Sequence, residues 1–389
     1  MAVLGIAAPR KWDRDNMEPR VREILDRTVR DRPNGPYRAK TADQVATILQ
    51  NYFAVTEGLT QVAISDVVRM AGGASKEQFA FRLRHAGDAE GTRLILRMDP
   101  LEGITQTCRG RESQLHMAMK GVVPIAGIRS FDADGDVLGQ PGMIMEFVSG
   151  VTQPTEVDKV GVTGIGSRFD DWVPKLAPQF IDAYIKVHGF DFSKADLSYF
   201  NVPRPGTTDA ALWQVNWWSQ LGWNALLEPV PIITLAERWL RENAPVCEKP
   251  VIVHGDLRMG NFMFEEPSGR FTAILDWELG HIGDYHEDIA WVIQKLFGVW
   301  REDGVFLVCG LMPRDEFLGL YQAQSGNVID PVKLRYYEIL NAYKCAVMDL
   351  SQAIRAATES NNHQDLVLTM LASAGAVFLA QIVLLLREA

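Results

Sequence analysis

Between residues 41 and 56 the apolar side chains Val45, Ile48, Leu49, Tyr52 and Phe53 fall on one helical face, and Thr41-Ala-Asp-Gln44 ahead of them has the form of a capping box. An amphipathic helix is predicted there. From residue 59 the period shortens: LTQVAISDVVRM, QFAFRLRH and TRLILRM alternate or run apolar in short pieces, parted by the turn-like AGGASK and AGDAEG. The pattern predicts a small antiparallel sheet. Segments 125–131 and 142–147 add two further strands, joined through Asp132-Ala-Asp-Gly-Asp136. Those aspartates imitate the start of an EF-hand loop. The glycine is misplaced, however, and Met143 stands where the closing carboxylate belongs, so the stretch reads as a hairpin turn.

Beyond residue 148 helical spacing takes over. VSGVTQPTEV and GVTGIGSRFDD read as loops; no apolar strand leads into the second, so it is not a dinucleotide fingerprint. A helix follows with Phe180, Ala183, Tyr184 and Val187 on one side, then an aromatic stretch over 212–223 in which Trp213 and Trp217 are helical neighbours. This stretch reads first as core packing, with an apolar wall for a substrate as the other possibility. Residues 1–40 are charged and irregular around one short helix carrying Val21, Ile24, Leu25 and Val29, an arm expected to lie on the body. Residues 366–386 are uncharged and long enough to span a bilayer. Thr369, Ser373, Gly375 and Gln381 lower the hydropathy, and a helix buried on all sides is expected instead of a membrane span.

Composition narrows the partners. With 389 residues, 47% of them hydrophobic and 23% charged, the chain can build two lobes with real cores. A formal charge of −10 offers no basic stripe to replace counterions, which argues against a nucleic-acid partner and is compatible with a cationic substrate. Cys108, Cys247, Cys309 and Cys345 are scattered, and the N-terminus is a poor signal peptide, so a cytoplasmic protein with reduced thiols is expected. Oligomeric state is not legible.

Residues 251–291 concentrate the candidate chemistry. An apolar run, Val251-Ile-Val253, delivers His254-Gly255-Asp256 into a loop, and Asn261 follows five residues later. Two β-like pieces around Glu265-Glu-Pro-Ser-Gly269 form a predicted hairpin ending in Asp276, which returns Asn261 and Asp276 to the same end. Phosphoryl transfer needs such a set: a carboxylate to orient and deprotonate a hydroxyl, and oxygen ligands to hold Mg²⁺ against phosphates. Asp256 would be the first; Asn261 and Asp276 would be the second. Singly, such residues more often cap turns. Glycines before Ser75, Gly73 among them, would let backbone N–H groups approach a phosphate, with the Ser75 hydroxyl as a further donor.

The spacing H-x-D-x-x-x-x-N followed by a strand ending in Asp resembles the protein-kinase catalytic loop and its metal aspartate. With Gly255 in place of Arg and Asp276-Trp277-Glu278 in place of Asp-Phe-Gly, it is more similar to the aminoglycoside phosphotransferase family, whose loop reads HGDxxxxN. VHGDLRMGN and ILDWELGHIGD look closest to the branch that also occurs fused to acyl-CoA dehydrogenases.

The resemblance implies an α+β, protein-kinase-like two-lobed fold. Its divisions would be an N-terminal arm over 1–40, a small antiparallel-sheet lobe with a helix that binds nucleotide over 41–147, and a larger, mainly helical catalytic and substrate lobe over 148–389. Arg97 takes the slot of the kinase lysine on the phosphates, and Glu112 that of the helix glutamate which pairs with it. The family has a similar G-G-x-S element around Gly73 and Ser75, commonly followed by Asn where this chain has Lys76. Glu146 and Val148 lie in the hinge, where backbone groups would meet an adenine edge. Arg258 corresponds to a kinase lysine near the transferred phosphate, with a loop-bracing arginine as the alternative. His254, Asp284 and Asp288 would be scaffold groups.

ATP is the implied donor, with GTP left open; Mg²⁺ is the implied metal, and the acceptor is a hydroxylated small molecule with an apolar portion. Two rival readings remain. One is a nucleotide-binding pseudokinase without catalysis, against which stands the retention of Asp256, Asn261 and Asp276. The other is a metal-dependent hydrolase built on His281, Asp284, His286 and Asp288.

Overall fold

The structure is a computed structural model and describes residues 16–30, 38–70, 75–100, 103, 105–157, 164–226, 229–359 and 365–389. Helix α1 (Pro19–Arg30) lays Val21 and Leu25 into the core of the large lobe, beside Met17. A buried Glu18–Arg111 ion pair ties its start to the small lobe. The capping box at α2 (Ala42–Thr56) forms: Gln44 N donates to Thr41 Oγ1 at 3.2 Å and Thr41 N to Gln44 Oε1 at 2.9 Å.

Five strands, β1 (Ala63–Arg69), β2 (Glu77–His85), β3 (Asp88–Met98), β4 (Ile128–Asp132) and β5 (Gly142–Glu146), make an antiparallel sheet of order β1-β2-β3-β5-β4. The period of two sorts its faces. Phe79, Phe81, Leu83, Leu94, Leu96, Met98 and Ile144 pack under Val45, Leu49, Tyr52 and Phe53 of α2. Arg97 therefore points from the other face, towards α3 (Arg109–Met119) and the large lobe. Between β4 and β5 the carboxylate of Asp132 accepts from the backbone N–H groups of Gly135, Asp136, Val137 and Leu138, which makes the aspartate-rich segment a turn.

The large lobe is mainly helical: α4 (Val173–Gly189), α5 (Asp209–Ala225), α6 (Pro231–Glu242), α7 (Tyr285–Val292), α8 (Arg314–Ser325), α9 (Pro331–Glu359) and α10 (Asp365–Glu388). Two short pairs carry the loop chemistry, β6 (Val251–Val253) with β9 (His281–Gly283) and β7 (Phe262–Phe264) with β8 (Phe271–Ile274). A further small sheet contains β10 (Gly298–Trp300), β11 (Phe306–Val308) and β12 (Met312–Pro313). On α9, Tyr336, Tyr337, Leu340, Tyr343 and Val347 are buried against α5, α6 and α7.

Trp217 and Trp218 stack in this core with ring centroids 5.6 Å apart, while Trp223 at the end of α5 is exposed. Helix α10 departs from the expectation of burial on all sides. Phe378 and Ile382 are buried, whereas Val377 and Leu384 are exposed, because the last helix lies against α9 and α6 at the edge of the lobe. Among the described residues no helix is long and apolar enough to cross a membrane.

Candidate active site

β6, clamped to β9, releases the chain at His254 into a turn that only glycine permits. Gly255 has φ +83°, and a Cβ there would lie 2.8 Å from the Leu279 carbonyl oxygen. The loop is fastened from below by Asp288 on α7, which accepts from His254 N at 2.7 Å, Gly255 N at 2.8 Å and His188 Nε2 at 3.1 Å. Burial alone would push the Asp288 carboxyl up; His188, His254 and the Gly255 N–H outweigh it and hold the group below its usual range.

Asp256 N donates to Nδ1 of His254, so that imidazole carries its proton on Nε2, 3.0 Å from the Leu275 carbonyl. Burial lowers the His254 pKa. His254 is thus a neutral brace. The glycine-rich segment after the hinge also serves the loop: Gly164, at φ +81°, lies so near that a Cβ would sit 2.5 Å from Cα of Gly260.

Asp256 is held at both oxygens. Oδ1 accepts from Arg258 Nε at 2.9 Å and from the Trp291 indole at 2.8 Å; Oδ2 accepts from Asn261 Nδ2 at 2.7 Å. The side chain is 13% exposed. Burial, with Arg258 opposing and Asp276 adding to it, raises the carboxyl to about 6. Asn261 Nδ2 also donates to the Asp256 carbonyl at 2.8 Å, so the amide turns its nitrogen, and not its oxygen, towards Asp256. The β7–β8 hairpin brings Asp276 to the same end, with Leu275 N donating to the Asn261 carbonyl at 2.8 Å.

Asp276 itself is left-handed, φ +65°, an uncommon conformation for a residue with a Cβ and one that concentrates at functional sites. Arg97 crosses from the small lobe to meet it, NH2 to Oδ1 at 2.5 Å, and its Nε lies 3.3 Å from Glu112 Oε1. Glu278 reaches the other way. Its carboxylate accepts from Ser75 Oγ at 2.6 Å and lies 3.3 Å from Lys76, 3.5 Å from Arg97 and 3.6 Å from Arg109. Burial would raise Glu278, but these three cations outweigh it and hold the group at about 2. Lys76 and Arg109 also share Asp99. Ser75 therefore donates here to Glu278. Gly73 lies outside the described residues.

At the hinge, the Glu146 carboxylate folds back to accept from Gly127 N at 3.1 Å, and Glu146 N donates to Gly127 O at 2.9 Å. Val148 is half-buried and leads to Val151, which exchanges two backbone hydrogen bonds with Phe264 of β7. On the face of the sheet that carries Arg97, a depression of about 290 Å³ is lined by Val68, Met70, Ala80, Arg82 and Arg93 among others. Arg93 stacks 3.6 Å over the hinge ring of Phe147.

The histidines of the hydrolase reading are consumed elsewhere, His281 by Leu279 O and Glu287, His286 by Asp284 and Asp330 N. Among the described residues no group of three or more His, Cys, Asp and Glu side chains is placed to hold a metal.

A sequence profile described as the phosphotransferase enzyme family matches residues 66–333, from the first strand of the sheet to the start of α9. The chain belongs to that family. Among curated proteins it is 22% identical to acyl-CoA dehydrogenase family member 10 of Mus musculus over 67% of this chain and 23% of the relative. It is 25% identical to family member 11 of Gallus gallus over 58% of this chain and 28% of the relative. The chain thus spans about a quarter of the length of these relatives.

Among solved structures, a Ralstonia eutropha protein named after the aminoglycoside phosphotransferases superposes with TM-score 0.61 at 21% identity, over 86% of this chain and 97% of that one. APH(4)-Ia with AMP-PNP and hygromycin B gives 0.53 at 14% identity over 87% and 99%. The GDP and kanamycin complex of an APH(2″) enzyme gives 0.51 at 15% over 86% and 98%. These neighbours establish the two-lobed, kinase-like fold.

Sequence reasoning about this phosphotransferase missed Trp291, Glu278, Lys76 and Arg109 as members of the site. Lys76 stood out only as a departure from the family's Asn, and Glu278 only as a replacement of Gly in Asp-Phe-Gly. Trp291 gave no signal, because a tryptophan on a short helix reads as core.

Proposed function

We propose that the chain transfers the γ-phosphoryl group of ATP, or of GTP, to the hydroxyl of a small molecule, with Asp256 as catalytic base. The observation that carries this reading is the fixed carboxylate of Asp256, tied by Asn261 and Arg258, with Asp276 brought to the same end of the β7–β8 hairpin and near enough to act on its charge. Asp256 takes the acceptor proton as the new oxygen–phosphorus bond forms and the bond to the β-phosphate oxygen breaks. The Asn261 amide oxygen and the Asp276 carboxylate are hard donors suited to Mg²⁺. A bound Mg²⁺ supplies charge neutralisation at the phosphates.

Arg97, steadied by Glu112, and Ser75 face the same space from the small lobe, with the backbone around Gly73 as a further phosphate contact. The depression beside Phe147 would take the base, with Glu146 and Val148 offering hinge backbone. Arg258 orients Asp256 and adds positive charge near the transferred group. For the acceptor, kinship with acyl-CoA dehydrogenase family members favours a hydroxylated compound with an apolar portion. All four thiols are free and buried, which fits a reducing, cytoplasmic setting.

ADP release from ATP across pooled alcohols, with and without Mg²⁺, tests the reading. Metal-dependent turnover that requires one pool is expected. Nucleotide binding without turnover in every pool would favour the pseudokinase instead. Because Asp256 must be ionised to accept a proton, turnover should rise as pH climbs through about 6 and level off above it. A profile flat from pH 5 to 7 would remove Asp256 from the rate.

A further inference from the structure

We propose that Trp291 is a positioning residue for the catalytic base: its indole N–H fixes Oδ1 of Asp256, and a buried Glu287–Lys344 pair behind the ring holds the indole in place. The inference rests on the reading of Asp256 as base. Trp291 is 3% exposed, and its Nε1 stands 2.8 Å from Asp256 Oδ1. On one flank the indole packs on Phe297, ring centroids 5.3 Å apart. On the other, Lys344 Nζ lies 5.4 Å from the ring centroid and 5.6 Å from that of Trp218. The Lys344 ammonium is itself pinned 2.5 Å from Glu287 Oε1, and Glu287 Oε2 meets His281.

A cation on an indole face is attracted by the ring quadrupole and draws electron density from the ring, which makes the N–H a better donor. Three donors from three places, Trp291 on α7, Arg258 on the loop and Asn261 at the start of β7, define the carboxylate plane. Rotation of Asp256 about its last torsion would break all three bonds together.

Without the indole N–H, Oδ1 would keep only Arg258 Nε and Oδ2 only Asn261 Nδ2, so the carboxylate would be held less firmly against the acceptor hydroxyl. The other groups facing Asp256 are Arg258, Asp276, His254, Tyr184 on α4, Cys309 after β11 and Cys345 on α9. None is altered by Trp291→Phe, which keeps an aromatic ring in the packing and deletes only the indole N–H and part of the ring.

The test is steady-state ADP release from Mg–ATP by the full chain in the alcohol pool that supports turnover. Trp291→Phe is expected to lower kcat about tenfold at unchanged KM for Mg–ATP, and Trp291→His, which can return a ring N–H towards Oδ1, to recover part of that loss.

A second measurement is spectroscopic. At fixed pH, the indole ¹⁵N–H resonance that is lost in Trp291→Phe should move upfield in Asp256→Asn, because its acceptor loses its charge. An unchanged kcat in Trp291→Phe, or an indole resonance that stays in place in Asp256→Asn, overturns the role given to Trp291. Turnover retained by Asp256→Asn would instead overturn the base.

Discussion

Asp256→Asn is expected to lower phosphoryl transfer by about 10²–10⁴-fold, the usual contribution of a positioned general base. The substitution is nearly isosteric, and the amide oxygen can still accept from Trp291 and Arg258 where Oδ1 does now. What disappears is the proton acceptor, together with the acceptor oxygen that faces Asn261 Nδ2. Nucleotide affinity should hold, since Arg97, Glu112, Ser75 and Glu278 form their contacts in the small lobe and around Asp276 without touching Asp256. Calorimetric titration with Mg–ATP alongside single-turnover transfer checks both halves. A variant that transfers phosphate at nearly the wild-type rate would remove Asp256 from the mechanism. A variant that loses nucleotide binding as well would show that the loop and the phosphate site are not separable.

Asp288→Ala should be the most damaging single change to stability at the site, by about 3–5 kcal/mol. One buried carboxylate serves two backbone N–H groups at the start of the loop and the imidazole of His188. Its removal strands donors at His254 and Gly255, both of which are buried. Asp288 lies below the usual carboxylate range when folded, so its contribution is complete at neutral pH and fades only as pH falls through that depressed value.

Chemical denaturation of Asp288→Ala should show a lower midpoint at unchanged slope, while Asp303→Ala, which breaks an exposed pair with Arg301, should leave the midpoint in place. Equal midpoints for wild type and Asp288→Ala would mean that the loop is held by its own turn and not by α7.

The elements that were legible early are those in which local pattern and tertiary demand coincide. The capping box at Thr41, the alternation through β2 and β3 and the hairpin around 265–269 each announce themselves over a few residues, because one face of each must be apolar or one turn must be formed. Arg97 and Glu112 came only from the resemblance; the strand order that makes β3 central and the contact of Arg97 with Asp276 came from the tertiary structure. Helix α10 was misread as buried on all sides because absence of charge does not say how many neighbours a helix has. Its exposed Val377 and Leu384 follow from its position as the last helix on the lobe.

The sequence by itself determined the order of the chemistry: a glycine that must turn left-handed before Asp256, an asparagine five residues on, and an aspartate at the far end of a hairpin, since backbone sterics and strand period fix these over short distances. Only the tertiary structure decided which groups close around them. Glu278 gathers Ser75, Lys76, Arg97 and Arg109 across two lobes, and Trp291 donates to Asp256 over a separation of 35 residues. Such contacts leave no local trace, because they arise from the docking of helices and lobes whose relative placement is set by the sum of all the packing and not by any one stretch of chain.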